Sequence, residues 1–242
     1  MACRKEKVVG ILGGMGPAAT VDLMKRVIDL TPAGDDADHI RMIVDNNPGV
    51  PSRIKALIEG TGENPGPCMA DMARGLESWG ADFIVIPCNT AHYYYEDVKK
   101  AVSVPVVHLV DLTASVVAER LPEKSKAGIM ASPAVVNTGL YDKAFRPYGV
   151  SVLYPCPADQ KKLLEVIRAV KAGSLGEDIR DRLAAIAANL VKEGAGILVL
   201  ACTELGVIGG GIDAEIIDTS DVLASEIVNI VKNEALPFEK NQ

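Results

Sequence analysis

Short apolar runs, mostly of valine and isoleucine, recur along this chain and limit what it can fold into. They are VVGIL (8–12), IRMIVD (40–45), FIVIP (83–87), VPVVHL (104–109), KAGIM (126–130) and GILVLA (196–201). Strands this apolar need cover on both faces, the condition of a parallel sheet rather than a half-solvated antiparallel one. The segments between them supply that cover. Pro17 stands where a first helical turn tolerates proline, and Val21, Met24, Val27 and Ile28 follow as one apolar face. Met69, Met72, Leu76 and Trp79 make a second such face; Leu163, Ile167 and Val170, then Ile179, Leu183, Ile186 and Leu190, make two more. Alternating strands and helices predict an α/β fold of parallel sheets flanked by helices.

The runs also repeat. VVGILGGMGPAAT leads to ADFIVIPCNTAH, and KAGIMASPAVVNT leads to GAGILVLACTEL. Gly10 precedes Cys88 by 78 residues, and Gly128 precedes Cys202 by 74. Each half therefore ends a buried strand in a cysteine followed by small hydrogen-bonding residues, at the end where open α/β sheets place ligands. Two pseudosymmetric domains are expected, 1–113 with 217–242 and 114–216, with the site in the cleft between them. The last helix (220–234) is expected to pack back on the first half.

Composition removes several function classes. With 242 residues and 48% apolar, the chain suffices for one large domain or two small ones. A net charge of −7 argues against nucleic acid or an anionic membrane as the main partner. No apolar run approaches the roughly 18 residues of a spanning helix. The basic start and mildly apolar continuation at the N-terminus are broken by four glycines and a proline, which reads as strand, turn and helix rather than a signal peptide. The five cysteines, Cys3, Cys68, Cys88, Cys156 and Cys202, are odd in number and lack CxxC spacing. That pattern suits a reducing compartment and a cytoplasmic protein, not a disulfide framework or a zinc site. Three scattered histidines without ligand spacing predict no metal.

GMGPAA (14–19) matches a GxGxxA dinucleotide turn between a strand and a helix, with Asp45 ending the next strand. Asp45 lies 29 residues beyond Gly16, longer than the usual ~20, and Pro17 removes an N–H that would hold pyrophosphate. A tight turn offering backbone N–H groups to a small carboxylate fits better, which puts Met15 among the substrate contacts. Cys3, Cys68 and Cys156 read as small buried hydrophobes. Cys88 and Cys202 read otherwise, because they end equivalent strands. A thiolate on one side of a substrate Cα can take its proton while a thiol on the other returns one, inverting the centre without a cofactor. A free thiol near pKa 8.5 is only about 3% ionised at pH 7, so donors such as Asn89, Thr90 and Thr203 would have to favour the thiolate.

The stretches GILGGMGPAAT, NNPGVPSR, PCNTAH and ACTEL closely resemble the cofactor-independent aspartate/glutamate racemase family, especially its aspartate branch, over essentially the whole chain. The resemblance implies catalytic roles for Cys88 and Cys202, cationic substrate contacts at Arg53 and Lys171, and a carboxylate loop at Asn89, Thr90 and Ala91 mirrored by Thr203. It also implies a homodimer, no cofactor, and a small acidic amino acid as substrate. The glutamate branch carries Asp-Ser-Gly after the first strand and Cys-Thr-His after the second catalytic strand. This chain has GGMG and CTEL there, so Glu204 replaces a histidine beside Cys202. His92 reads as a structural histidine of the first helical turn. Other readings stay open at this point: glutamate or broader amino-acid racemisation, hydantoin racemase or maleate isomerase chemistry, a non-catalytic binding protein, or an NAD-dependent oxidoreductase.

Overall fold

The computed structural model describes residues 6–206, 208 and 212–232. Cys3 and the last two residues of the expected 220–234 helix lie outside the described residues. In the first half, β1 (Val9–Gly13), α1 (Pro17–Leu30), β2 (Met42–Asn46), α2 (Gly66–Ser78), β3 (Phe83–Val85), α3 (Tyr95–Lys99) and α4 (Leu109–Arg120) follow one another. The second half runs β4 (Lys126–Ala131), α5 (Pro133–Thr138), α6 (Leu140–Phe145), β5 (Val152–Leu153), α7 (Pro157–Lys171), α8 (Glu177–Lys192), β6 (Ala195–Ala201), α9 (Thr203–Gly206), β7 (Ile216–Asp218) and α10 (Thr219–Lys232). The strands form two parallel sheets, ordered β2-β1-β3 and β5-β4-β6-β7.

Each sheet is covered on both faces. On one side of the first, Met69, Met72 and Leu76 of α2 pack with Leu12, Ile84 and Ile86. On the other, Leu23 and Val27 of α1 join Leu223, Ala224 and Ile227 of α10 over Val9 and Ile11. The second sheet lies between Leu163, Ile167, Leu183 and Ile186 of α7 and α8 and, opposite, Val110, Val117, Tyr141 and Phe145 of α4 and α6. Close approach depends on small residues: a Cβ at Gly10 would stand 2.9 Å from Ala81 Cβ and 3.3 Å from Leu76 Cβ.

The two connecting helices belong to both halves. In α4, Leu109 packs in the first core while Val110, Ala114 and Val117 pack in the second. The chain then returns through α10 to cover α1.

Four expectations are corrected. VPVVHL (104–109) is not a strand but a single bridge, Ile84 to Val106. Pro105 has no N–H to extend the ladder, and α4 begins at Leu109 behind a cap in which His108 Nδ1 accepts from the Asp111 N–H. The buried stripe of α1 is Ala19, Thr20, Leu23 and Val27, whereas Val21 and Ile28 are 61% and 46% exposed. Counting large apolar residues picks the wrong face because the true one begins with alanine and threonine, which let α1 sit close against Gly13. Trp79 follows the end of α2 and is exposed. Cys156 is exposed and Cys68 half-buried, so neither is a fully buried hydrophobe. Two edge strands, β5 and β7, are too short to stand out as apolar runs.

Candidate active site

Loops from the carboxyl ends of β1, β2, β3, β4 and β6 converge with the end of α7 on a cavity of about 60 Å³. Since a single water needs roughly 10–15 Å³ of such space, this is room for a small metabolite or a few waters. Met15, Arg53, Cys88, Asn89, Thr90, Lys171, Cys202 and Thr203 all line it, together with Ser52, Ile54, Ser132, Ile167, Ala201 and Glu204. Ala91, also expected at the site, is fully buried and does not line the cavity.

Both cysteines are buried, and their surroundings differ. Beyond β3 the chain bends so that the Cys88 N–H reaches Ile86 O at 2.8 Å. The Cys88 carbonyl accepts from His92 Nδ1 at 2.9 Å, while His92 Nε2 accepts from the Leu109 N–H at 3.0 Å. A ring nitrogen that accepts from an amide is unprotonated, so the proton is on Nδ1 and the imidazole is neutral. Burial, with His108 beside it, pushes the His92 pKa down to about 3. His92 therefore holds the backbone of the Cys88 loop and does not reach the thiol.

Cys202 sits against a charge. Its thiol donates to Glu204 Oε2 at 2.9 Å, and Glu204 Oε1 pairs with Lys171 Nζ at 3.0 Å. Burial first, then the Glu204 carboxylate, hold the Cys202 pKa well above the usual thiol value, with Lys171 pulling the other way. Burial works against the charge on Lys171, but the Glu204 carboxylate, foremost among its anionic neighbours, outweighs it and raises its pKa. The resemblance makes Lys171 a cationic substrate contact; in the fold that cation is already paired with Glu204.

The donors expected to serve Cys88 are used to join the halves instead. Asn89 Nδ2 donates to Thr219 Oγ1 at 3.0 Å, and Asn89 Oδ1 accepts from the Tyr141 hydroxyl at 2.6 Å. Thr219 in turn donates to Leu200 O at 3.0 Å, two residues before Cys202. Thr90 Oγ1 and Ser132 Oγ share a hydrogen bond at 3.2 Å, and Thr203 donates to Pro87 O at 3.4 Å. Each cysteine loop is thus anchored on the other half. Arg26 of α1 adds a further tie, reaching Asp218 at 2.9 Å and Gly206 O at 3.3 Å.

Arg53 Nη1 donates to Val50 O at 3.2 Å and Pro51 O at 3.0 Å, and Nη2 donates to Met15 O at 3.3 Å. A guanidinium has five N–H donors. Among the described residues no hydrogen bond engages the Nε–H, so the guanidinium keeps donor capacity for a carboxylate. The glycine turn is not arranged for a nucleotide. Its Gly14 N–H donates to Thr20 Oγ1 at 2.9 Å, and a Cβ at Gly14 would run into the Asn47 backbone at 2.3 Å. Among the described residues, no group of three or more His, Cys, Asp or Glu side chains is placed to hold a metal ion.

Residues 12–227 match the Asp/Glu/Hydantoin racemase family. The chain belongs to that family. It is therefore an enzyme, an isomerase of the amino-acid racemase kind. It is 31% identical over 229 residues to the broad specificity amino-acid racemase RacX of Bacillus subtilis (strain 168), covering 92% of this chain and 97% of that one. The structure is similar to the Picrophilus torridus aspartate racemase, with a TM-score of 0.83 and 30% identity over 93% of this chain and 94% of that one. A glutamate racemase of Aquifex pyrophilus is 27% identical over 174 residues, covering 68% of this chain and 64% of that one. The two-domain α/β arrangement expected from sequence agrees with the similarity to that aspartate racemase structure. Among the described residues, no helix is long and apolar enough to cross a membrane.

Ser132, Tyr141 and Thr219 escaped the sequence reading. Ser132 had a signal: it precedes Pro133 as Gly16 precedes Pro17 in the repeat. Tyr141 and Thr219 had none, since each acts through a hydrogen bond to a residue far away in sequence.

Proposed function

We infer that this racemase interconverts the enantiomers of an acidic amino acid, aspartate foremost, by proton transfer between Cys88, Cys202 and the substrate Cα. The observation that carries the reading is the meeting of two strand-end thiols in one cavity with two cations, Arg53 and Lys171. A thiolate takes the Cα proton from one side and the opposite thiol protonates the carbanion on the other, so the pair exchanges protonation states in each turnover. The remaining donors of Arg53 suit a carboxylate grip, and Lys171, which lines the same cavity from α7, serves the second carboxylate. The similarity to an aspartate racemase supports the choice of substrate.

A second reading, broad specificity, is favoured by the Lys171–Glu204 ion pair, which neutralises the cation that a side-chain carboxylate would use. A chiral assay of the purified protein against a panel of amino acids separates them. Aspartate should turn over fastest; neutral amino acids racemised as fast would replace the aspartate reading with the broad one. In D₂O at early times, product should carry deuterium at Cα while remaining substrate keeps protium. Early deuterium in both enantiomers would indicate a single base and end the two-thiol mechanism.

A further inference from the structure

The Cys202–Glu204–Lys171 chain has no counterpart at Cys88: among the described residues, no side chain hydrogen-bonds to the Cys88 thiol. Glu204 lies two residues after Cys202 in the short α9, is itself 6% exposed, and places one oxygen on the thiol and the other on Lys171. A carboxylate is an acceptor only. It can bond to a protonated Cys202, but toward a Cys202 thiolate it offers a like charge at contact distance.

We propose that Glu204 keeps the resting proton on Cys202, so that the enzyme waits with Cys202 as the acid and Cys88 as the thiol that supplies the base. This rests on the two-thiol reading above and extends it. Glu204 is here a positioning residue, since it acts on the reaction through Cys202. In the first half-cycle the Cα–H proton passes to the Cys88 thiolate, and the Cys202 S–H proton passes to the opposite face of the carbanion. That leaves Cys88 as thiol and Cys202 as thiolate. The proton returns from Cys88 to Cys202 through solvent, or the reverse reaction carries it back. When Cys202 is the thiolate, the neighbouring carboxylate makes it the stronger base of the two.

The groups facing Cys202 are few enough to name. Glu204 lies on its own segment, Lys171 comes from α7, Cys88 from the loop after β3, and the Tyr141 hydroxyl from α6. Burial and Glu204 favour the thiol, and among the described residues only Lys171 opposes them. Lys171 also explains how a buried carboxylate is tolerated beside a thiol, since the ion pair keeps Glu204 from standing uncompensated.

The test is alkylation by iodoacetamide as a function of pH, with each cysteine peptide followed by mass spectrometry on the full chain. Cys88 and Cys202 are equally buried, so the pH midpoint of labelling, not its absolute rate, reports ionisation. In the wild type the midpoint of Cys202 should lie above that of Cys88. In Glu204→Gln it should fall by at least one pH unit, with labelling of Cys202 at pH 8 rising about tenfold, while the Cys88 midpoint stays in place. Lys171→Met gives an opposite shift and serves if the glutamine variant does not fold: without the cation, the Cys202 midpoint should rise. An unchanged Cys202 midpoint in both variants, or a wild type in which Cys202 titrates below Cys88, would overturn the proposal. A Cys202→Ala variant that racemises normally would instead remove the two-thiol mechanism, whatever the labelling shows.

Discussion

Cys88 and Cys202 leave equivalent strands of a repeated fold, yet the two loops are secured by different means. The Cys88 loop is held by neutral groups: the imidazole of His92 on its carbonyl, and Tyr141 and Thr219 on the side chain of Asn89. The Cys202 loop has a neutral tie too, from Thr203 to Pro87 O, but adds charge, with Glu204 on the thiol and Lys171 behind it. Duplicating a strand end duplicates where a side chain points, because the sheet sets that. It does not duplicate proton affinity, which depends on what other elements bring within a few ångströms. A pair of thiols related by symmetry can therefore be chemically unequal, which suits a reaction needing one acid and one base at each moment.

The most damaging way to probe the comparison is to remove either thiol. Cys88→Ala and Cys202→Ala should each lower kcat at least as far as the ~10²–10⁴-fold that a positioned acid or base supplies. The double variant should be little worse than either single one, because the pair acts as a unit. Losses that multiply would show two independent contributions, and the comparison would lose its meaning.

Next come the cations, one on each side. Arg53→Ala should cost roughly 2–5 kcal/mol in kcat/KM, the range for removing one partner of a buried charge pair. Lys171→Ala should fall in the same range with aspartate and cost less with neutral amino acids. Wild-type kinetics for either variant with aspartate would return that residue to an ordinary surface charge.

A subtler difference lies in pH. His92 is neutral in the fold with its pKa lowered to about 3, and His108 is lowered to about 4, against about 6.5 when unfolded. Between those values the unfolded chain binds more protons, so this part of the stability is complete above about pH 6.5 and is lost as pH falls toward 3–4. The denaturant midpoint should drop between pH 7.5 and 5, and His92→Gln should flatten that slope. An identical slope in the variant would place the acid sensitivity elsewhere.

The smallest effect is expected at the tie between the halves. Tyr141→Phe removes one hydrogen bond to Asn89 and leaves its Oδ1 short of a partner, worth about 1–3 kcal/mol of stability. Both thiols should keep their labelling order, since the hydroxyl bears on the position of the Cys88 loop. A reversed order would mean that the neutral network sets proton affinity as well.

Much of this was legible in the chain. The apolar runs located β1, β2, β3, β4 and β6 because buried parallel strands leave a signal on every residue. The repeat located Cys88 and Cys202, and short motifs located the residues that gather round them. Three kinds of feature stayed hidden. Pro105 interrupted a ladder that its neighbours advertised. The buried face of α1 rests on Ala19 and Thr20, which hydrophobic counting passes over. The pairing of Lys171 with Glu204 joins residues 33 positions apart and is created only by the fold. Sequence thus showed which groups meet, but not which of them neutralise one another.

The return of the chain through α10 carries a rule for recombining members of this family. Leu223, Ala224 and Ile227 of that helix pack against Leu23 and Val27 of α1 over the first sheet. A chimera with one crossover in α4 would lay one parent's α10 on the other parent's α1, mismatching an apolar surface far from the cavity. Two crossovers, one within α4 and one between β7 and α10, would exchange the Cys202 half while leaving that surface from a single parent.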